Sequence, residues 1–183
     1  LDPSRRVLGV IRPTAEIIGN LTVSRHVGLL ATEGTVRSQS YNMEIKKLWP
    51  DITVTGVACP LWVPIIENNE ADSPGADYFV KKRIDHIMRL DPQIDALILG
   101  CTHYPILMPK IMKYVPNGVR IVPQSEYVAD SLKDYLSRHP EMDKMCTKGA
   151  TAQFYTTESA DKFTENARIF LPEDIDVKHV ELE

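Results

Sequence analysis

The sequence has no GxGxxG run and no Walker-type phosphate loop, which argues against a nucleotide-cofactor enzyme. Nothing marks a lysine for pyridoxal phosphate. The three cysteines, Cys59, Cys101 and Cys146, are odd in number, scattered, and form no CxxC pair. That pattern argues against a disulfide scaffold and against a structural zinc site. None of the five histidines has a metal-ligand spacing such as HxxxH, so no metal is expected. Positive charge is not in excess: a net charge of −4 withholds the basic face that nucleic-acid binding needs. No apolar run has the length to cross a membrane, and "LDPSRRVLGV" at the start lacks a signal pattern. A reducing, cytoplasmic setting is the expectation. There the useful question is which cysteine is reactive.

What the sequence does carry is alternation. At 183 residues, 43% of them hydrophobic, the chain can bury a sizeable core. Apolar runs read as strands at 6–11, 26–32, 52–59, 95–100 and 119–122, then at 151–157 and in the closing "DVKHVEL". Helix-like segments lie between them. "PTAEIIGNLT" (13–22) opens with the proline that suits a first helical turn. "EGTVRSQSYNMEIKKLWP" spaces Val36, Tyr41, Ile45, Leu48 and Trp49 as one helix closed by Pro50. Residues 76–90 put Phe79, Val80, Ile84, Ile87 and Met88 on one side with charges opposite. Helices are also expected over "PILMPKIMKYV", 125–139 and "ESADKFTENARIFL", the last capped by Ser159 or Thr157. "PEMDKMCTKGA" reads as a polar loop. This alternation predicts an α/β fold, a three-layer sandwich with a parallel sheet between helices.

In open α/β sheets, ligands bind beyond the carboxyl ends of the strands. Three polar stretches directly follow strands and should share one rim: "ATEGTV", "ACP" and "GCTHYP". Cys101 falls between a strand end and a helix start, where free backbone N–H groups favour an anion and should lower a thiol pKa from about 8.5. His103 can hold or relay a proton beside it, and Thr102 adds a hydroxyl for a carboxylate. The plainer alternative makes Cys101 a small filler and His103 a satisfied surface group. Gly34 with Thr32 and Thr35 can bind an anion or merely cap a helix, and the residues do not choose between these. Cys59, among apolar neighbours, reads as packing; Cys146 reads as incidental. Glu67 alone is an ordinary helix-end acid.

The string "LILGCTHYPIL" resembles the glutamate racemases, cofactor-independent enzymes that supply D-glutamate for the bacterial cell wall. "LGVIRP", "VGLLATEGTVRSQSY", "ACPLWVPIIE" and "FYTTESADKF…FLPEDIDVKHVEL" look like further landmarks of that family, in the same order. The resemblance implies a two-base mechanism: one cysteine thiolate removes the Cα proton of glutamate and a second cysteine returns one to the opposite face. It implies that Cys101 is one base, that His103 assists it, and that Glu67 lies near the same side of the site. It implies that Thr102, Thr32 and Thr35 contact the substrate, and that no cofactor is needed.

Two departures stand beside it. The family's other catalytic cysteine, in an Ala-Cys-Asn-Thr motif behind an Asp-Ser-Gly strand, has no match, and Cys59 in "ACPLW" cannot replace it. "VPQSEY" (122–127) stands where the family usually has an acid and a small residue. The chain therefore looks like the C-terminal two-thirds of such an enzyme. Residues 1–122 would form the middle α/β domain, and 123–183 the returning half of a domain whose first half is absent. Alone it is expected not to racemise glutamate, and its uncovered apolar surface would make a homodimer possible. Rival readings are an aspartate or hydantoin racemase, against which His103 argues, and a non-catalytic binding protein that kept the fold. A cysteine hydrolase is more distant, because no GxSxG elbow occurs.

Overall fold

A computed structural model describes residues 7–171 and 173–182; Arg6, first residue of the expected opening strand, lies outside them. The chain forms two compact units, Leu1–Tyr135 and Leu136–Glu183. In the first, the order is α1 (Ile11–Leu21), β1 (His26–Ala31), α2 (Glu33–Ser38), α3 (Ser40–Leu48), β2 (Thr53–Ala58), α4 (Trp62–Glu67) and α5 (Pro74–Leu90). Then come β3 (Ala96–Gly100), a 3-10 turn (Tyr104–Leu107), α6 (Met108–Tyr114), β4 (Arg120–Pro123) and the start of α7 (Gln124–Arg138).

The four strands form one parallel sheet in the order β2-β1-β3-β4. The central strands are near-continuously apolar because both faces are covered. Alternation along the strands divides their side chains. Val27, Leu29, Ala31, Ala96, Ile98 and Val122 pack with Ala15 and Ile18 of α1 and with Tyr41 and Ile45 of α3. Gly28 faces the other way: a Cβ there would lie 3.1 Å from Ile87 of α5 and 2.7 Å from Leu97. Helices therefore lie on both faces, giving the expected sandwich. Each fully buried Leu or Ile contributes roughly 1.5–3 kcal/mol relative to exposure. Ser73 starts α5 by accepting a hydrogen bond from the Ala76 N–H at 3.2 Å, with Pro74 in the first turn.

Several expected elements differ. Residues 7–10 are not a strand; Val7 is 80% exposed, and no described strand pairs with this run. An apolar run becomes a strand only where a ladder partner exists, and here Ile11–Leu21 forms a helix that buries Ala15 and Ile18. The expected single helix over 33–49 breaks at Gln39, whose φ of 55° is left-handed. Gln39 closes α2 through its N–H and its side-chain amide, both donating to the Val36 carbonyl. The segment after Cys101 winds as a 3-10 turn before α6, since Pro105 and Pro109 each lack an N–H. Trp62–Glu67, for which no element was anticipated, is a helix.

In the second unit, Pro140–Met145 forms α8 where a loop was expected, with Pro140 in its first turn followed by Glu141 and Asp143. β5 (Phe154–Thr156) and β6 (Val177–His179) pair in parallel, with α9 (Ala160–Ala167) between them in sequence. Ser159 caps α9 by accepting from the Lys162 N–H at 3.4 Å. Among the described residues, no helix is long and apolar enough to cross a membrane.

Candidate active site

The sheet register brings three strand ends to one rim. Ala31 pairs with Ala58 on one side and with Gly100 on the other, so Thr32, Cys59 and Cys101 are the next residues on adjacent strands. The Cys59 N–H continues the ladder to the Ala31 carbonyl at 2.8 Å. Gly100 is needed at the end of β3, because a Cβ there would meet Leu29 at 2.9 Å, Ala31 at 3.1 Å and the Tyr41 ring at 3.4 Å. The chain then turns, with the Tyr104 N–H donating to the Cys101 carbonyl at 3.2 Å.

Within this turn the His103 imidazole sits among three partners. Its Nδ1 is 3.9 Å from Cys101 Sγ and 3.5 Å from Thr102 Oγ1, and its Nε2 is 3.1 Å from Glu67 Oε1. With the Nε2 proton donated to the carboxylate, Nδ1 keeps a lone pair toward the thiol and the Thr102 hydroxyl. Glu67 ends α4, distant in sequence, and a ring contact fixes that helix. Trp62 at its start is fully buried and meets Tyr104 edge-on, with centroids 4.7 Å apart. The Tyr104 hydroxyl donates in turn to the Cys59 carbonyl at 3.4 Å.

The Cys101 thiol differs from the sequence expectation in one respect. Burial pushes it above its ordinary value; the His103 and Tyr104 backbone N–H groups pull it down without outweighing burial, and the Glu67 charge adds to the rise. A four-residue 3-10 turn supplies local donors rather than the dipole of a long helix. Desolvation wins. The thiol is therefore mostly protonated near neutral pH, and a proton acceptor beside it matters more.

Thr32 is the N-cap of α2, accepting from the Thr35 N–H at 3.4 Å, and the two hydroxyls are 3.0 Å apart. Thr32 thus caps the helix, and both side chains stay at the rim beyond β1. Cys59 is 1% exposed, and burial pushes its thiol up to about 12, with Arg83 opposing weakly. Cys146 is exposed, in the second unit. Among the described residues, no three His, Cys, Asp or Glu side chains group to hold a metal ion. A cavity of about 620 Å³ in the second unit is lined by Phe154, Leu171, Asp174 and Lys178 among others, and it contains none of the candidate residues. Sequence reasoning missed the pairing of Tyr41 in α3 with Gln124, the first residue of α7, beside Gly100. The non-matching "VPQSEY" was the signal for Gln124.

No protein-family profile matches the chain. The glutamate racemase of Lactiplantibacillus plantarum is 33% identical over 177 residues, covering 96% of this chain and 64% of its own length. The crystal structure of glutamate racemase isoform RacE1 from Bacillus anthracis superposes with a TM-score of 0.85 at 31% identity, over 99% of this chain and 66% of that one. Glutamate racemase from Francisella tularensis, solved in complex with D-glutamate, gives 0.79 at 29% identity, over 94% of this chain and 62% of that one. The chain spans just under two thirds of the relatives it matches. With sequence and fold both matched along nearly its whole length, the chain belongs to the glutamate racemase family.

Proposed function

We propose that this chain forms one wall of a cofactor-independent glutamate racemase, an isomerase interconverting L- and D-glutamate in the cytoplasm for peptidoglycan synthesis and cell shape. The observation that carries this reading is the line from Glu67 through His103 to Cys101 at the rim of the parallel sheet. A Cα–H beside an amino-acid carboxylate is a very weak acid. Its removal needs a close, desolvated base and a gripped carboxylate.

Cys101 is the base or acid on one face. In the forward sense its thiol proton passes to His103 Nδ1, and Glu67 stabilises the resulting imidazolium. The thiolate takes the Cα proton, and the electron pair delocalises into the substrate carboxylate. The hydroxyls of Thr102, Thr32 and Thr35 hold that carboxylate as its charge grows. A thiol on the opposite face returns a proton to Cα. We place that second cysteine in the part of the longer relatives that has no counterpart among these residues. The domain division at 122/123 belongs to the same reading: 1–122 is the middle racemase domain and 123–183 the returning half of another. A homodimer would be its simplest assembly, and residues 1–183 alone would not turn over.

The test is decay of D-glutamate optical rotation, with no cofactor added. The longest natural protein containing these residues should bring the rotation to zero, while residues 1–183 should leave it unchanged. No decay with the folded longer protein would overturn the substrate assignment. Full turnover by residues 1–183 would overturn the two-wall reading.

A further inference from the structure

The Cys101 turn is backed by two residues that the proposed mechanism does not use. Tyr41 of α3 is 1% exposed, and its ring lies against Gly100, the residue before Cys101; a Cβ at Gly100 would be 3.4 Å from the ring. Its hydroxyl accepts a hydrogen bond from Gln124 Nε2, and the same amide reaches the Val10 carbonyl at 3.4 Å. Gln124 arrives there through the sheet. Leu99 pairs with Pro123, so Gln124 stands beside Gly100 one step further along β3 and β4. α3, β3 and the residue after β4 thus converge beside Gly100, the residue before Cys101.

A phenol has one proton to give and one acceptor side. The Gln124 amide occupies the acceptor side, which leaves the Tyr41 O–H as a donor within electrostatic reach of Cys101. Burial raises the pKa of a phenol so held well above its ordinary range, so it stays neutral and acts as a dipole. The titratable groups that face the Cys101 thiol are Glu67 from α4, Tyr41 from α3, Cys59 from the end of β2, and His103 and Tyr104 from its own turn. None of them is a lysine or arginine. A neutral donor is then the available means of favouring the thiolate from the sheet side.

We propose that Tyr41 and Gln124 are positioning residues for the Cys101 acid/base: the ring seats the Gly100–Cys101 turn, and the amide orients the phenol dipole toward the thiolate. This rests on the reading of Cys101 as an acid/base, but its test needs no substrate. Alkylation of Cys101 by iodoacetamide is followed by peptide mass spectrometry from pH 6 to 10, in the unaltered chain and in Tyr41→Phe. Cys146 serves as internal control.

Below its midpoint, the rate tracks the thiolate fraction. Tyr41→Phe keeps the ring and removes the dipole. It should slow Cys101 alkylation about threefold below the midpoint, about half a pKa unit upward, and leave the high-pH plateau unchanged. Gln124→Ala, at a half-exposed position, should move the midpoint the same way by less, and it serves if Tyr41→Phe does not fold. An unmoved midpoint overturns the proposal. So does a changed plateau with the same midpoint, which would mean altered access only. Failure of the racemisation assay with a shifted midpoint would remove the substrate assignment and leave the pair intact.

Discussion

β3 and β6 are both short strands in parallel ladders, yet their surroundings differ completely. Ala96, Leu97, Ile98 and Leu99 of β3 are buried between partners on both sides and helices above and below. Val177, Lys178 and His179 of β6 have one partner and are half-buried or exposed. Among the described residues from 136 to 182, none is buried at all. Both backbone pairing and burial are greater around β3. The two-stranded ladder packs mainly against α9 and no described side chain there is fully buried, so most of the apolar burial that stabilises the chain lies around the sheet of the first unit. The rim carrying Cys101, His103 and Glu67 is anchored to that rigid part, as a site needing sub-ångström placement requires.

The largest expected effect separates the units directly. Trp62→Ala empties a fully buried site and removes the edge contact to Tyr104, and should cost about 3–5 kcal/mol. Phe163→Ala in α9 removes a ring that is 38% exposed and should cost less than about 1 kcal/mol. Urea denaturation measures both. Equal costs would break the comparison.

A smaller effect sharpens it through pH. Asp95, just before β3, accepts from the Thr22 hydroxyl at 2.5 Å and from the Val23 and Ser24 N–H groups at 2.7 Å each. Burial pushes its carboxyl up, but these donors outweigh it and hold the group at about 2, below the ordinary 3.8. A depressed carboxyl stabilises the fold above its unfolded value, and that contribution is lost as pH falls through the folded value. Asp95→Asn should lower the Tm by a few degrees near neutral pH. The gap to the unaltered chain should close between about pH 4 and pH 2. A pH-independent gap would mean that packing rather than charge makes the contribution.

The sheet was legible because β1 and β3 are apolar runs and β2 mixes β-branched residues with small ones. The rim was legible because parallel strands must end together. The break at Gln39 was not, since neither glycine nor proline marks it and glutamine is not among the residues that favour the left-handed region. Val7–Val10 misled for the opposite reason: the run has strand composition and no described ladder to join. At the site, Cys101 and His103 are neighbours in sequence and visible there. Glu67 came only from the family resemblance, and its hydrogen bond to His103 depends on how Trp62 docks α4 against Tyr104. The raised thiol was not legible either, because burial is a property of the packed rim.

The most direct test of the central claim is the racemisation rate of the longer protein carrying Cys101→Ser. A serine hydroxyl is far too weak an acid to replace the thiol, so the account predicts a fall of about a thousandfold or more with folding intact. A rate within about twofold of the unaltered enzyme would contradict it, since removing a true general acid/base costs at least a hundredfold.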